Sequence, residues 1–154
     1  MISARNLLIL SKVAAGNEGT NACLSSPASA KNAITVGSTD SKDRVSEFSN
    51  TGSVFHSSIR FSNELIGRCL DMFAPGSEVT SLGINGSVKV KSGTSFSSPY
   101  VAGVLAQYWS CNPDLSPKDV TSMLKKSGTK GSVKGLGWFS FSPNLLVYSL
   151  PDQQ

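Results

Sequence analysis

With 154 residues, 39% of them apolar, the chain has the size and composition of one ordinary folded domain, without internal repeats or the low hydrophobicity of a disordered segment. The net charge of +4 comes from 14 basic against 10 acidic residues, with Lys118, Lys125, Lys126, Lys130 and Lys134 clustered late and no aromatic residues between them. A nucleic-acid module would show a denser basic stripe, so nucleic-acid binding is set aside and these lysines are expected on a solvated helix face.

In chain order, residues 1–12 make an atypical start. Leu7, Leu8, Ile9 and Leu10 form an apolar run suited to a buried strand, yet Ser11 and Lys12 follow where apolar residues would be expected. The run is too short to cross a membrane, and it lacks the charged front, longer apolar core and cleavage site that together make a signal peptide. Residues 33–38, 70–73, 79–82 and 88–91 read as strands. Residues 97–110 and 117–126 read as helices, the second capped by Ser116, with Pro117 in its first turn and Asp119 three residues beyond the cap. Cys23, Cys69 and Cys111 lack the C-x-x-C spacing of a metal site, and their pairing stays open.

The most informative stretch is Gly93-Thr94-Ser95-Phe96-Ser97-Ser98-Pro99-Tyr100-Val101-Ala102-Gly103. Pro99 suits a first helical turn, and Ser97 and Ser98 can cap free N–H groups, so a helix is expected to open near residue 97. Ser95 then sits where backbone N–H groups and the positive end of the helix dipole converge, which favours an oxyanion forming beside its Oγ. Downstream, Val101, Ala102, Val104, Leu105, Ala106 and Tyr108 are apolar on nearly all sides, the pattern of a helix buried all round.

These eleven residues resemble the nucleophile motif of subtilisin-like serine proteases, departing from it at Phe96 and Tyr100. Ala14-Ala15-Gly16-Asn17-Glu18-Gly19 resembles the same family's oxyanion-hole motif. Residues 26–38, Phe48-Ser49-Asn50, residues 71–76 and Pro143-Asn144-Leu145-Leu146-Val147-Tyr148 resemble the proteinase K branch. The resemblance implies an α/β fold, a subtilisin-like parallel sheet with flanking helices. Ser95 is then the nucleophile and Asn17 the side-chain donor to the oxyanion. Ala14, Ala15 and Gly16 form one wall of the substrate pocket, with Gly93 and Thr94 beside the nucleophile. It implies secretion, a polypeptide substrate, no membrane, and no cofactor for the chemistry itself. A structural calcium ion is also implied, held by the Asp71 carboxylate and by backbone carbonyls corresponding to Lys31 and Ala33.

In the family a histidine oriented by an aspartate activates the serine, and both lie upstream of the asparagine motif. The residues before Gly16 contain neither Asp nor His, and the single histidine, His56, falls after Asn17 and reads as a loop residue. Residues 1–154 are therefore expected to be a partial peptidase domain, its N-terminal half missing and acting as a required partner. In a half-domain of this kind, the first strand leaves an open sheet edge. Residues 53–67 interrupt the resemblance, since without them Thr51-Gly52-Arg68-Cys69-Leu70-Asp71 reads continuously. Fifteen codons keep the frame, so the segment is either an unremoved short intron or a surface loop, which chains tolerate cheaply. Two functions stay open: the nucleophile-bearing part of a serine endopeptidase, or a non-catalytic fragment that binds peptides or another chain.

Overall fold

The computed structural model describes residues 11–52, 69–138 and 140–149. In chain order the strands are β1 (Ser11–Ala14), β2 (Ala33–Thr39), β3 (Met72–Pro75), β4 (Val79–Leu82) and β5 (Val88–Lys91). Helices α1 (Thr94–Cys111) and α2 (Pro117–Ser127) follow, then β6 (Thr129–Lys130) and β7 (Leu145–Leu146). The main sheet runs β1-β2-β3-β7-β6, parallel from β1 to β7 with β6 antiparallel at the far end, while β4 and β5 form a separate hairpin. This is the expected α/β architecture.

The sequence of β2, Ala-Ile-Thr-Val-Gly-Ser-Thr, is small or β-branched throughout, and six of its seven residues are buried. A central parallel strand covered on both faces needs that composition. Because side chains alternate, Ile34 and Val36 join Met72 and Ala74 of β3 on one face, packed against Val101, Val104, Leu105 and Tyr108 of α1 and Val120 and Leu124 of α2. Phe73 points the other way, into a second cluster with Ala15, Ala22, Ala28, Leu70 and Val133. Thr35 is also fully buried, and its hydroxyl donates to the Ala28 carbonyl at 2.8 Å.

Several expectations shift. The strand read at 70–73 forms at Met72–Pro75, although Asp71 N–H already bonds the Thr35 carbonyl at 2.9 Å. Ser11 and Lys12 lie in β1 despite their polarity, because β1 is an edge strand paired only with β2 among the described residues. Edges tolerate polar side chains, lysine in particular. The apolar run 7–10 lies outside the described residues, as do residues 53–67 with His56.

The α2 reading holds in detail: Ser116 Oγ accepts from Asp119 N–H at 3.2 Å, Pro117 opens the helix, and Val120 and Leu124 form its buried stripe. For α1 the start is corrected from residue 97 to Thr94. The chain reverses at Gly93, whose φ of 156° and ψ of 151° suit only glycine, and Phe96 N–H bonds the Gly93 carbonyl at 3.0 Å. Helical turns are thus under way before Ser97 and Ser98, which cap nothing, and Pro99 sits inside the helix, where it removes the hydrogen bond to the Ser95 carbonyl.

A second correction concerns coverage of α1. Its buried residues, Thr94, Ser97, Val101, Val104, Leu105 and Tyr108, recur at three- and four-residue steps and so occupy one stripe. Tyr100, Gly103 and Ala106 lie on the opposite side and are exposed. The helix is apolar all round, as its sequence says, but the described residues cover only one face.

Outside the sheet, a turn at residues 40–44 is fixed by Asp40, which accepts from the Lys42 and Arg44 N–H groups and from the Arg44 guanidinium. Chiefly through the Arg44 backbone bond, this holds the Asp40 carboxyl below its ordinary pKa. Cys23 and Cys69 form a disulfide, leaving Cys111 free and exposed. It ties the turn at Ala22–Leu24 to the entry of β3.

Candidate active site

Ser95 is exposed in the first turn of α1, among the N–H groups that have no partner inside the helix. Asn17 lies just beyond the end of β1, and Gly93 brings the two segments together: a Cβ at Gly93 would sit 3.6 Å from Asn17 Nδ2. Ser95 and Asn17 both line a cavity of about 440 Å³. Residues 14–18 and 25–28 line it together with Thr94 and Ser95.

The fully buried Thr94 orients the asparagine. Its N–H donates to Asn17 Oδ1 at 2.8 Å and its hydroxyl donates to the same oxygen at 2.9 Å. Gly16 N–H in turn donates to the Thr94 hydroxyl at 3.2 Å. With the amide oxygen held by two donors, the Asn17 NH₂ is the end left to bond a ligand. A donor fixed before any charge develops is the form that electrostatic stabilisation of an oxyanion requires.

Asn50 holds the loop that carries Asn17, a role that its place in Phe48-Ser49-Asn50 did not reveal. It is completely buried. Its Oδ1 accepts from Glu18 N–H at 3.1 Å, Thr20 N–H at 2.8 Å and the Thr20 hydroxyl at 3.3 Å. Its Nδ2 donates to the Ala15 carbonyl at 3.1 Å and to Glu18 Oε2 at 2.7 Å. Gly16, at φ 107°, passes so close that a Cβ there would lie 2.2 Å from Asn50 Nδ2. The sequence signal available was only an asparagine with no apolar role; its five side-chain bonds go to Ala15, Glu18 and Thr20, 30 to 35 residues upstream, where no local pattern reaches.

Of the residues expected around the substrate, Ala14, Ala15, Gly16 and Thr94 all line the cavity with Ser95 and Asn17, whereas Gly93 does not. Its part is to set the turn. The histidine and aspartate of a triad are not brought to Ser95 by the described residues, which contain no histidine.

At the expected calcium position both oxygens of the Asp71 carboxylate are already engaged within the chain. Asp71 Oδ2 accepts from Thr35 N–H at 2.8 Å, and Oδ1 is held by the Lys125 ammonium at 2.6 Å. Among the described residues no three His, Cys, Asp or Glu side chains gather to hold an ion. Lys125 is thereby also corrected: it is turned onto Asp71, while Lys118, Lys126, Lys130 and Lys134 are exposed as expected.

Residues 2–139 match the family model of the subtilase family, peptidase family S8. An extracellular serine proteinase of Thermus sp. is 39% identical over 151 residues, covering 97% of this chain and 33% of that protein. Alkaline serine exoprotease A of Vibrio alginolyticus is 40% identical, covering 91% and 23% respectively. Subtilisin-like protease 1 of Pseudogymnoascus destructans is 44% identical, covering 89% and 30%. The crystal structure of a cold-adapted subtilisin-like serine proteinase superimposes with a TM-score of 0.74 at 40% identity, over 90% of this chain and 44% of that one. The chain thus spans a quarter to a third of these curated relatives and less than half of the solved structure. A parallel sheet whose α1 start sets a serine beside an oriented asparagine, together with these matches, establishes that the chain belongs to the subtilase family of serine peptidases.

Proposed function

We infer that this chain is the nucleophile-bearing part of a secreted serine endopeptidase of the proteinase K-like branch. Ser95 Oγ attacks the scissile carbonyl carbon, its proton passes to a base, and the carbonyl oxygen becomes an oxyanion between Asn17 Nδ2 and the Ser95 N–H. Collapse expels the amine with that proton and leaves an acyl-enzyme on Ser95, which water then hydrolyses. The observation that carries this reading is the pair of Thr94 donors on Asn17 Oδ1, which leaves the amide's donor end for the oxyanion. Deleting such a donor in a relative lowers turnover on the order of 10²–10³-fold.

The base and its orienting acid are assigned to other polypeptide, because neither Asp nor His precedes Gly16 and the one histidine, His56, follows Asn17, against the family order aspartate, histidine, serine. Without them only a residue of catalysis, on the order of 10³-fold over water, is expected. Secretion is supported by the Cys23–Cys69 disulfide, which oxidising compartments preserve, and by the name of the Thermus relative. The missing base also favours a second reading, a non-catalytic fragment that binds peptide in the cavity. Labelling with a fluorophosphonate probe separates the two. The isolated chain is expected to label negligibly. A mixture with the upstream half of a close relative, carrying Asp and His, is expected to label at Ser95 and not in Ser95→Ala. Brisk Ser95-dependent labelling of the chain alone refutes the assignment of the base to other polypeptide; no labelling of the mixture favours the non-catalytic fragment.

A further inference from the structure

We propose that Lys125 is a resident cation for Asp71, a side-chain ammonium that locks the β2–β3 seam to α2 and makes divalent metal unnecessary there. Asp71 stands just before β3 and clasps Thr35 of β2 from both sides. Its N–H donates to the Thr35 carbonyl at 2.9 Å, and its Oδ2 accepts the Thr35 N–H at 2.8 Å. That leaves Oδ1 as the negative end of a carboxylate only 20% exposed, and the Lys125 ammonium meets it at 2.6 Å. Lys125 belongs to the last turn of α2, one residue after the fully buried Leu124, so the helix that covers the sheet also carries the charge that neutralises the seam.

The donor set favours an ammonium over a hard cation. Calcium takes six to eight oxygens at roughly 2.3–2.6 Å; the carbonyls of Lys31 and Ala33 would supply two of them, but both oxygens of the one carboxylate here are already engaged, one by the Thr35 N–H and one by the Lys125 ammonium. A divalent ion would have to evict a short, charge-assisted hydrogen bond to reach the other. Lys125 keeps 42% of its side-chain surface, so solvent screens the pair and its contribution falls with added salt.

The test is thermal unfolding of the full chain with chelator, with millimolar calcium, and after substitution. It reads stability and is independent of Ser95 chemistry. The midpoint of the unmodified chain is expected to be the same in chelator and in calcium, and titration calorimetry is expected to show no heat of calcium binding. Lys125→Met lowers the midpoint by roughly 1–4 °C, given a solvent-screened pair and about 2–4 °C per kcal/mol for a chain of this size. Lys125→Arg retains most of the wild-type midpoint. Asp71→Asn combined with Lys125→Met falls no further than the larger single change. A midpoint that drops in chelator and returns with calcium, or strictly additive substitutions, overturns the proposal. Chelator and calcium are applied to the unmodified protein, so the test stands even where a variant fails to fold.

Discussion

Two buried polar residues near the candidate site behave in opposite ways. Ser97 is fully buried in α1, and its hydroxyl has no hydrogen-bond partner among the described residues. An unpaired buried hydroxyl carries a desolvation penalty that alanine removes, so Ser97→Ala is expected to raise stability by up to about 1 kcal/mol. Chemical denaturation checks this, and a clear loss of stability would mean the hydroxyl has a partner. Asn50 is equally buried, but every polar atom of its side chain is used. Asn50→Ala strands the Ala15 carbonyl and the Glu18 and Thr20 N–H groups, with an expected loss on the order of 3 kcal/mol. Hydrogen exchange of the Glu18 and Thr20 amides should rise with it; unchanged protection there would sink the role given to Asn50.

Among the elements, α1 shows how tertiary demand overrides local signals. Serine and proline at positions 97–99 have the composition of a helix start, yet the backbone turns at Gly93 and the first helical N–H goes to Asn17 instead of to a cap. The early start is what puts Ser95 in the first turn. The small-residue turn at Ala22–Leu24 has little core of its own, and the disulfide to Cys69 anchors it across a separation of 46 residues. A loop of that length contributes roughly 4 kcal/mol through the unfolded chain's lost entropy. Cys23→Ala with Cys69→Ala is therefore expected to lower the denaturation midpoint strongly, and reducing agent should reproduce the loss in the parent chain. Insensitivity to both would mean the bond does not form.

At the scale of the molecule, the described residues leave much apolar surface open. Leu82, Ile84, Val88 and Val90 of the β4–β5 hairpin are exposed, Tyr100 stands on the uncovered side of α1, and β1 forms a sheet edge. Thr80, Leu82, Val88 and Val90 share one face of the hairpin, since Leu82 pairs with Val88 and Thr80 with Val90. Unprotected edges and contiguous apolar faces promote association. The purified 154-residue chain is expected to self-associate, and light scattering should report this at micromolar concentration. A stable monomer with no affinity for the upstream half of a relative would argue that these surfaces need no partner.

The sequence by itself carried the family, the two motifs whose Ser95 and Asn17 meet at one cavity, the second helix with its cap and the hairpin strands, because each is a local pattern: a run of neighbours, a cap three residues from its partner, an alternation of two. The tertiary structure decided the rest. Thr94 orients Asn17 across 77 positions, Asn50 braces that loop from 30 to 35 positions away, Cys69 selects Cys23 over Cys111, and Lys125 reaches Asp71 across 54. Contacts of that span leave no mark in any short window. They exist only once the parallel sheet has brought distant ends of the chain side by side.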